Sequence, residues 1–207
     1  MNGPVNPPAS EADALSEERL RAGAYALLAN LLATAPDDEM LARLEAIAIP
    51  PAGERLDAMA GAWAELKRAA QQAQTEAVRG EYHDLFIGLG RGELVPYGSW
   101  YLSGFLMEKP LGVLRRDLTA LGYERQQDVA EPEDHAAALC EVMALLVMDE
   151  AVSLDMQRAF FDTHVGSWLE RFFQDLAAAP SAGFYQAVGR LGQAFMALEQ
   201  RYLAMKS

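Results

Sequence analysis

Ser181-Ala-Gly-Phe-Tyr-Gln-Ala-Val-Gly-Arg-Leu-Gly-Gln-Ala-Phe-Met-Ala-Leu-Glu-Gln-Arg-Tyr202 places Phe184, Val188, Leu191, Phe195, Leu198 and Tyr202 in alternating steps of four and three. That alternation follows the 3.6-residue turn of an α-helix with one apolar stripe, whereas a half-buried strand requires strict alternation. The same period recurs upstream. It predicts one helix over 155–178 through Phe161, Val165, Trp168, Leu169, Phe172 and Leu176, and another over 133–153 through Leu139, Val142, Met143 and Leu146. Nearer the N-terminus, Ser16 is placed to cap a helix with Leu20, Ala24, Leu27, Leu28 and Leu31 on its apolar face, ending before Pro36. A short helix from Asp37 or Asp38 runs to Ile47 and stops at Pro50-Pro51. A third covers about 53–73, and Thr75 is placed to cap a fourth carrying Val78, Tyr82, Leu85 and Phe86. Short helices over 99–107 and 111–121 complete the set, the latter closed by Gly122. No segment alternates as a strand. The expected fold is all-α, a single globular domain of about eight or nine helices over 16–207. Residues 1–15 form a disordered lead-in, and a long glycine- and proline-containing connector runs from 88 to 98.

Composition bounds the function. The 207 residues are 51% hydrophobic, enough for one substantial core and too much for a disordered chain. The longest apolar runs, Ala24–Ala33 and Val142–Met148, fall well short of the roughly 20 residues a membrane span needs. Residues 1–10 carry neither a basic start nor an apolar segment and so do not read as a secretory signal. A single cysteine, Cys140, permits no internal disulfide and fits a reducing compartment, so the cytoplasm is the expected location. Thirty acidic against 17 basic residues give a formal charge of −13, with only three lysines and no basic stripe. Such a surface repels nucleic-acid phosphates and anionic lipids and favours a cationic partner. Neither nucleic-acid binding nor stable membrane insertion is expected.

Three places interrupt the helical pattern. Gly88-Leu-Gly90-Arg-Gly92 resembles a phosphate cradle in composition, yet it has no Gly-Lys-Ser/Thr and no preceding strand. A turn between helices is the plainer reading, and a nucleotide-binding or nucleotide-hydrolysing protein using this loop is the alternative function. Pro96-Tyr97-Gly98-Ser99-Trp100-Tyr101 sets aromatics beside a proline at the end of that loop, in a position either to fill the core or to meet a peptide. Glu131-Pro132-Glu133-Asp134-His135 reads structurally as a helix start, with proline in the first turn and acids at the positive dipole end. Read functionally, it is an anionic edge in which His135 holds a carboxylate or donates to a ligand carbonyl. His83, His135 and His164 lie far apart with no His/Cys pair at ligand spacing, so no metal is expected. Cys140, beside Leu139, reads as a buried small hydrophobe, and His164, one turn from Trp168, as a satisfied core histidine.

Tyr82-x-x-Leu85-Phe86, Val95-Pro96-Tyr97-x-Ser99-x-Tyr101, Glu131-Pro132-x-Asp134-His135 and Phe161-x-x-His164-x-x-x-Trp168-x-x-x-Phe172 occur here in the order seen in the TorD/DmsD family, which this chain resembles over roughly residues 16 to 205. Members are cytoplasmic maturation chaperones for molybdenum-cofactor oxidoreductases. The resemblance implies a protein without catalysis of its own. It would bind a molybdoenzyme apoprotein, in many cases through its twin-arginine leader, and hold it until the cofactor is inserted. It further implies a client-binding set of Leu85, Phe86, Pro96, Tyr97, Trp100, Asp134 and His135. In that set Asp134, with the neighbouring acids, pairs with arginine, and Leu85, Phe86, Pro96, Tyr97 and Trp100, together with Tyr101, cover the apolar part of the leader. The loop departs from the family in reading Gly98 where an acidic or bulkier residue is common. No cofactor is expected. Weak guanine-nucleotide binding, known in some members, has no support in these residues. A monomer or a domain-swapped dimer hinged at 88–98 or 123–131 is compatible with the fold. An interaction module whose partner carries no export signal also stays open.

Overall fold

The structure, a computed structural model, describes residues 9–49, 57–123 and 131–205. The first half of the expected lead-in, the Pro50-Pro51 stop and most of the 123–131 connector lie outside these residues. Among the described residues ten α-helices follow one another: α1 Ala9–Ala33, α2 Asp38–Ala46, α3 Asp57–Gln72, α4 Thr75–Tyr82, α5 Gly98–Ser103, α6 Lys109–Ala120, α7 Ala136–Met148, α8 Leu154–Phe160, α9 Leu169–Ala178 and α10 Phe184–Met205. Two of them run on into single π turns, His83–Ile87 after α4 and Phe161–Val165 after α8. Among the described residues the only β pairing is an isolated antiparallel bridge between Tyr97 and His135. The fold class is all-α, as the periodicity predicts.

Two packing units share the core. α1 lies along α7, while α10 is flanked by α9 and α3, with α2 covering α3. Small residues set the α9–α10 approach: a Cβ at Gly189 would come within 2.6 Å of the Ala177 amide, and one at Gly192 would enter the Phe173 ring. The units are tied by a buried polar cluster. Arg21 on α1 donates to both oxygens of Glu199 on α10, at 2.7 and 2.9 Å, and to Gln157 at 3.1 Å. Tyr25 donates to the same carboxylate, and the Tyr202 ring lies 4.4 Å below the guanidinium. Every member has a partner, the condition under which a buried charge pair is tolerated.

Helix boundaries follow local chemistry with some corrections. Asp37 caps α2 by accepting from the Met40 amide at 2.8 Å. Thr75 does not cap α4: it is the first helical residue, and its hydroxyl donates to Asp38. α1 begins at Ala9, ahead of the Ser16 expected to cap it, and Leu20 is exposed while Arg21 beside it is buried. The stretch from 155 to 178 is two helices, because the π turn and Gly166 shift the register before Trp168 starts α9. The stretch from 133 to 153 helps form α7 and ends at Met148, with Ser153 capping α8 through the Met156 amide. The N-terminus of α10 is capped from afar: Glu81 on α4 accepts from the amides of Gly183, Phe184 and Tyr185 at 2.8, 2.9 and 2.6 Å. Cys140 is fully buried and its thiol is pushed up to about 12 by burial. His164 is buried with Nε2 2.7 Å from Asp117, and its carbonyl accepts from the Trp168 indole at 2.8 Å.

Candidate functional site

The segments 95–99 and 131–136, far apart in sequence, form one knot. Their backbones pair at Tyr97 and His135. The Gly98 amide donates to the Asp134 carbonyl at 2.8 Å, and the Ala136 amide donates to the Pro96 carbonyl at 2.8 Å. Side chains lock the same joint. Asp134 Oδ2 accepts from the Ser99 amide at 2.7 Å, and the Tyr97 hydroxyl donates to Glu131. The Tyr97 and His135 rings meet edge to face at 5.0 Å. Burial, then the hydrogen bond to Glu131, raises the Tyr97 phenol above its ordinary value, so Tyr97 stays a donor.

Two helix starts depend on this joint. α5 has no cap from its own N-cap residue, Tyr97; the carboxylate of Asp134 supplies it from the other segment. His135 caps α7 itself, its Nδ1 accepting from the Ala137 amide at 3.1 Å. That acceptor exists only in the neutral imidazole, and burial lowers the His135 pKa in the same sense. Asp134 is 3% exposed, and its Oδ1 has no hydrogen-bond partner among the described residues. Direct pairing with an arginine at the surface, as expected from the sequence, requires an exposed carboxylate. Here the carboxylate faces inward as a cap. Glu133 holds Arg115 through both its oxygens, at 2.9 to 3.1 Å.

The knot presents α5. Gly98 sits against the Trp168 indole, where a Cβ would come within 3.0 Å of Nε1, so α5 can approach the π-turn helix closely. Tyr101 turns inward, 5.3 Å from the Trp168 ring, and donates to Asp175 at 2.9 Å. Trp100 is half-buried at the surface with the Arg91 guanidinium 5.1 Å above it. A cleft of about 240 Å³ opens there, lined by Arg91, Glu93, Trp100, Tyr101, Arg171 and Asp175 among others. Beyond α5 the chain turns through Gly104 and Met107, both at positive φ, and leaves Leu102, Phe105, Leu106 and Met107 in solvent. Phe105 and Met107 are 69% and 72% exposed. Three side chains of this kind in succession make an exposed apolar run.

The structure therefore brings Pro96, Tyr97, Asp134 and His135 into one joint and sets Trp100 one turn beyond it. It does not bring Leu85 and Phe86 there as surface groups. Leu85 is fully buried, and Phe86 packs against Tyr82 and Tyr185 at 5.0 and 5.5 Å in a separate aromatic cluster. The residues that sequence reasoning missed are Leu102, Phe105, Leu106 and Met107. Their signal is an apolar run punctuated by Ser103-Gly104, which reads as an ordinary turn until its exposure is known. The glycine loop is no anion cradle at its ends, because the amides of Gly88, Glu93 and Leu94 donate to the carbonyls of His83, Asp84 and Leu85. Gly88 and Gly92 serve close packing, since a Cβ at Gly88 would come within 2.2 Å of the Arg91 carbonyl oxygen and one at Gly92 within 2.6 Å of the Leu85 carbonyl oxygen. Among the described residues no group of three or more His, Cys, Asp or Glu side chains is placed to hold a metal ion, and no helix is long and apolar enough to cross a membrane.

Comparison with known proteins adds the following. A family model described as the nitrate reductase delta subunit matches residues 54–174. The chaperone protein TorD of Vibrio cholerae serotype O1 is 31% identical over 143 residues, 64% of this chain and 64% of the relative. TorD of Aliivibrio fischeri is 30% identical over 145 residues, covering 65% and 67%, and TorD of Photobacterium profundum 28% over 178, covering 80% and 82%. The alignment thus spans just under two thirds of the length of the Vibrio cholerae relatives. A crystal structure from Archaeoglobus fulgidus, described as a redox enzyme maturation protein, superposes with a TM-score of 0.54 at 18% identity, over 95% of this chain and 99% of that one. It shares the all-helical fold.

Proposed function

The chain belongs to the TorD-type family of redox enzyme maturation proteins, matched by the nitrate reductase delta subunit model, and from that premise we propose that it is a maturation chaperone for a molybdenum-cofactor oxidoreductase. It binds the apoenzyme in the cytoplasm, together with its twin-arginine leader, and releases it after cofactor insertion, so that export does not come first. It carries out no catalysis of its own. The supporting observation is the α5 surface: a half-buried Trp100 followed by four exposed apolar side chains, held in place by a buried cap from the Glu131–His135 segment.

A leader of this kind has a basic n-region followed by an apolar segment. The apolar segment lies on Leu102, Phe105, Leu106 and Met107, and its burial supplies most of the affinity at about 25 cal/mol per Å² before ordering costs. The basic residues enter the cleft beside Trp100, where Glu93 and Asp175 supply carboxylates. The indole face itself is taken by Arg91. Asp134 and His135 act through α5 as positioning residues rather than as contacts. Replacing Phe105 and Met107 together by serine tests this reading. The variant should fold as the parent does, because both side chains are exposed, and it should lose at least about tenfold in leader affinity. Undiminished leader binding by this variant would remove the α5 turn from the site.

A further inference from the structure

α7 reads Ala-Ala-Ala-Leu-Cys-Glu-Val-Met-Ala-Leu-Leu-Val-Met, with one charged residue in 13. A helix that is apolar all round is normally enclosed on every side. This one is not. It packs chiefly along α1, and its buried side carries Ala136, Ala137, Leu139, Cys140, Met143, Leu146 and Val147. On the opposite side Leu145 and Met148, three residues apart, are 49% and 50% exposed, while Ala138 and Val142 beside them are half-buried and Val142 packs against the core. Glu141 lies within the same stripe and Asp149 ends it, both exposed.

The segment of chain that carries this stripe has charge of one sign. From Glu131 to Gln157 the chain carries seven acidic residues and no lysine or arginine. Three of the seven are engaged in the knot: Glu131 with Tyr97, Glu133 with Arg115 and Asp134 with Ser99. The other four, Glu141, Asp149, Glu150 and Asp155, are exposed around the stripe and the turn into α8. An apolar strip whose own segment of chain carries exposed acids and no lysine or arginine matches a partner helix with leucine-type side chains on one face and lysine or arginine at its borders. Methionine at the strip's end suits a surface that adapts to more than one apolar side chain.

We propose that the exposed face of α7 is a second docking surface, which takes a basic amphipathic helix of a partner polypeptide alongside the contacts at α5. The surface does not depend on leader recognition. A helix from the folded body of a client would meet it equally well, and binding would weaken with salt because the bordering acids are exposed.

The probe is a synthetic leucine–lysine helix of about five turns, labelled with fluorescein and titrated by anisotropy beside a leucine–glutamate version. The full chain should bind the lysine peptide and not the glutamate peptide. Leu145→Ser with Met148→Ser should lose at least about tenfold in affinity. Glu141→Gln with Glu150→Gln, which alters exposed groups and leaves the fold alone, should lose several-fold and flatten the salt dependence. Glu39→Gln with Glu45→Gln on α2 should change nothing. Equal losses in the α2 control would show diffuse attraction to an acidic protein and overturn the proposal. So would unchanged binding by both α7 variants. Sedimentation of the parent as a dimer that Leu145→Ser with Met148→Ser makes monomeric would assign the face to a second copy instead. Peptide binding that appears only after removal of residues 1–8 would assign it to the chain's own N-terminal segment. Loss of leader binding in the α5 variants with the lysine helix still bound would bear on the function proposed above and leave this surface standing.

Discussion

Replacing Asp134 separates capping from recognition. Its Oδ2 is 2.7 Å from the Ser99 amide, Ser99 is fully buried, and among the described residues α5 has no cap from its own N-cap residue, Tyr97. Asp134→Ala removes a charge-assisted hydrogen bond and leaves a buried amide without a partner, a loss of about 1.5–3 kcal/mol. In a chain of this length that lowers the melting temperature by roughly 4–10 °C. Asp134→Asn keeps an acceptor of the same shape for Ser99, and its amide occupies the place of Oδ1, which has no hydrogen-bond partner among the described residues. It should retain most of the stability, losing about 1 kcal/mol or less. The assays are urea unfolding with a constant slope and, on the same preparations, titration with a leader peptide. If Asp134 is a cap, affinity follows stability: the alanine variant is impaired in both, and the asparagine variant in neither by much. Loss of leader binding in a stable Asp134→Asn protein would refute the reasoning, because only a direct charge contact behaves in that way.

Three further outcomes follow from the same geometry. Glu81→Ala should cost about 1–2 kcal/mol in unfolding experiments, because one carboxylate serves three amides at the start of α10. Acidification should destabilise the protein through His135. Its folded pKa is lowered by burial, so the stability it contributes is complete above its ordinary value of 6.5 and is lost as pH falls from there through the folded pKa. His135→Asn, which caps without titrating, should remove that part of the pH dependence of the melting temperature. Gly192→Ala should destabilise by roughly 1–3 kcal/mol or prevent folding, since the added methyl enters the Phe173 ring; Gly23→Ala, with open space around it, should be close to neutral.

The helices themselves were legible because local signals carry them. The steps of four and three through Phe184 to Tyr202 recur as the buried face of α10 at Phe184, Val188, Leu191 and Phe195, and Asp37 caps α2 as its position implies. What the sequence concealed depends on partners far along the chain. Arg21 reads as a surface residue beside apolar Leu20; its burial depends on Glu199, 178 positions away. The break between α8 and α9 is hidden because a π turn adds a residue while leaving Phe161, Val165 and Trp168 at spacings that still read as helical. At the site, the resemblance named two segments that the structure joins. It could not show that they bind each other, that Asp134 faces a backbone amide, or that Leu85 belongs to the core. The apolar turn at 105–107 was invisible for a different reason. A short apolar run carries no sign of whether it faces inward or outward, and only the positions of α5 and α6 decide it.

The most direct test of the chaperone reading is a calorimetric titration with twin-arginine leaders from the molybdoenzymes encoded in the same genome, each beside a version with both arginines changed to glutamine. The account predicts one-to-one binding of at least one leader, weakened by salt and by Trp100→Ala, and lost in its glutamine version. Failure of every leader to bind, or equal binding of the glutamine versions, would contradict it.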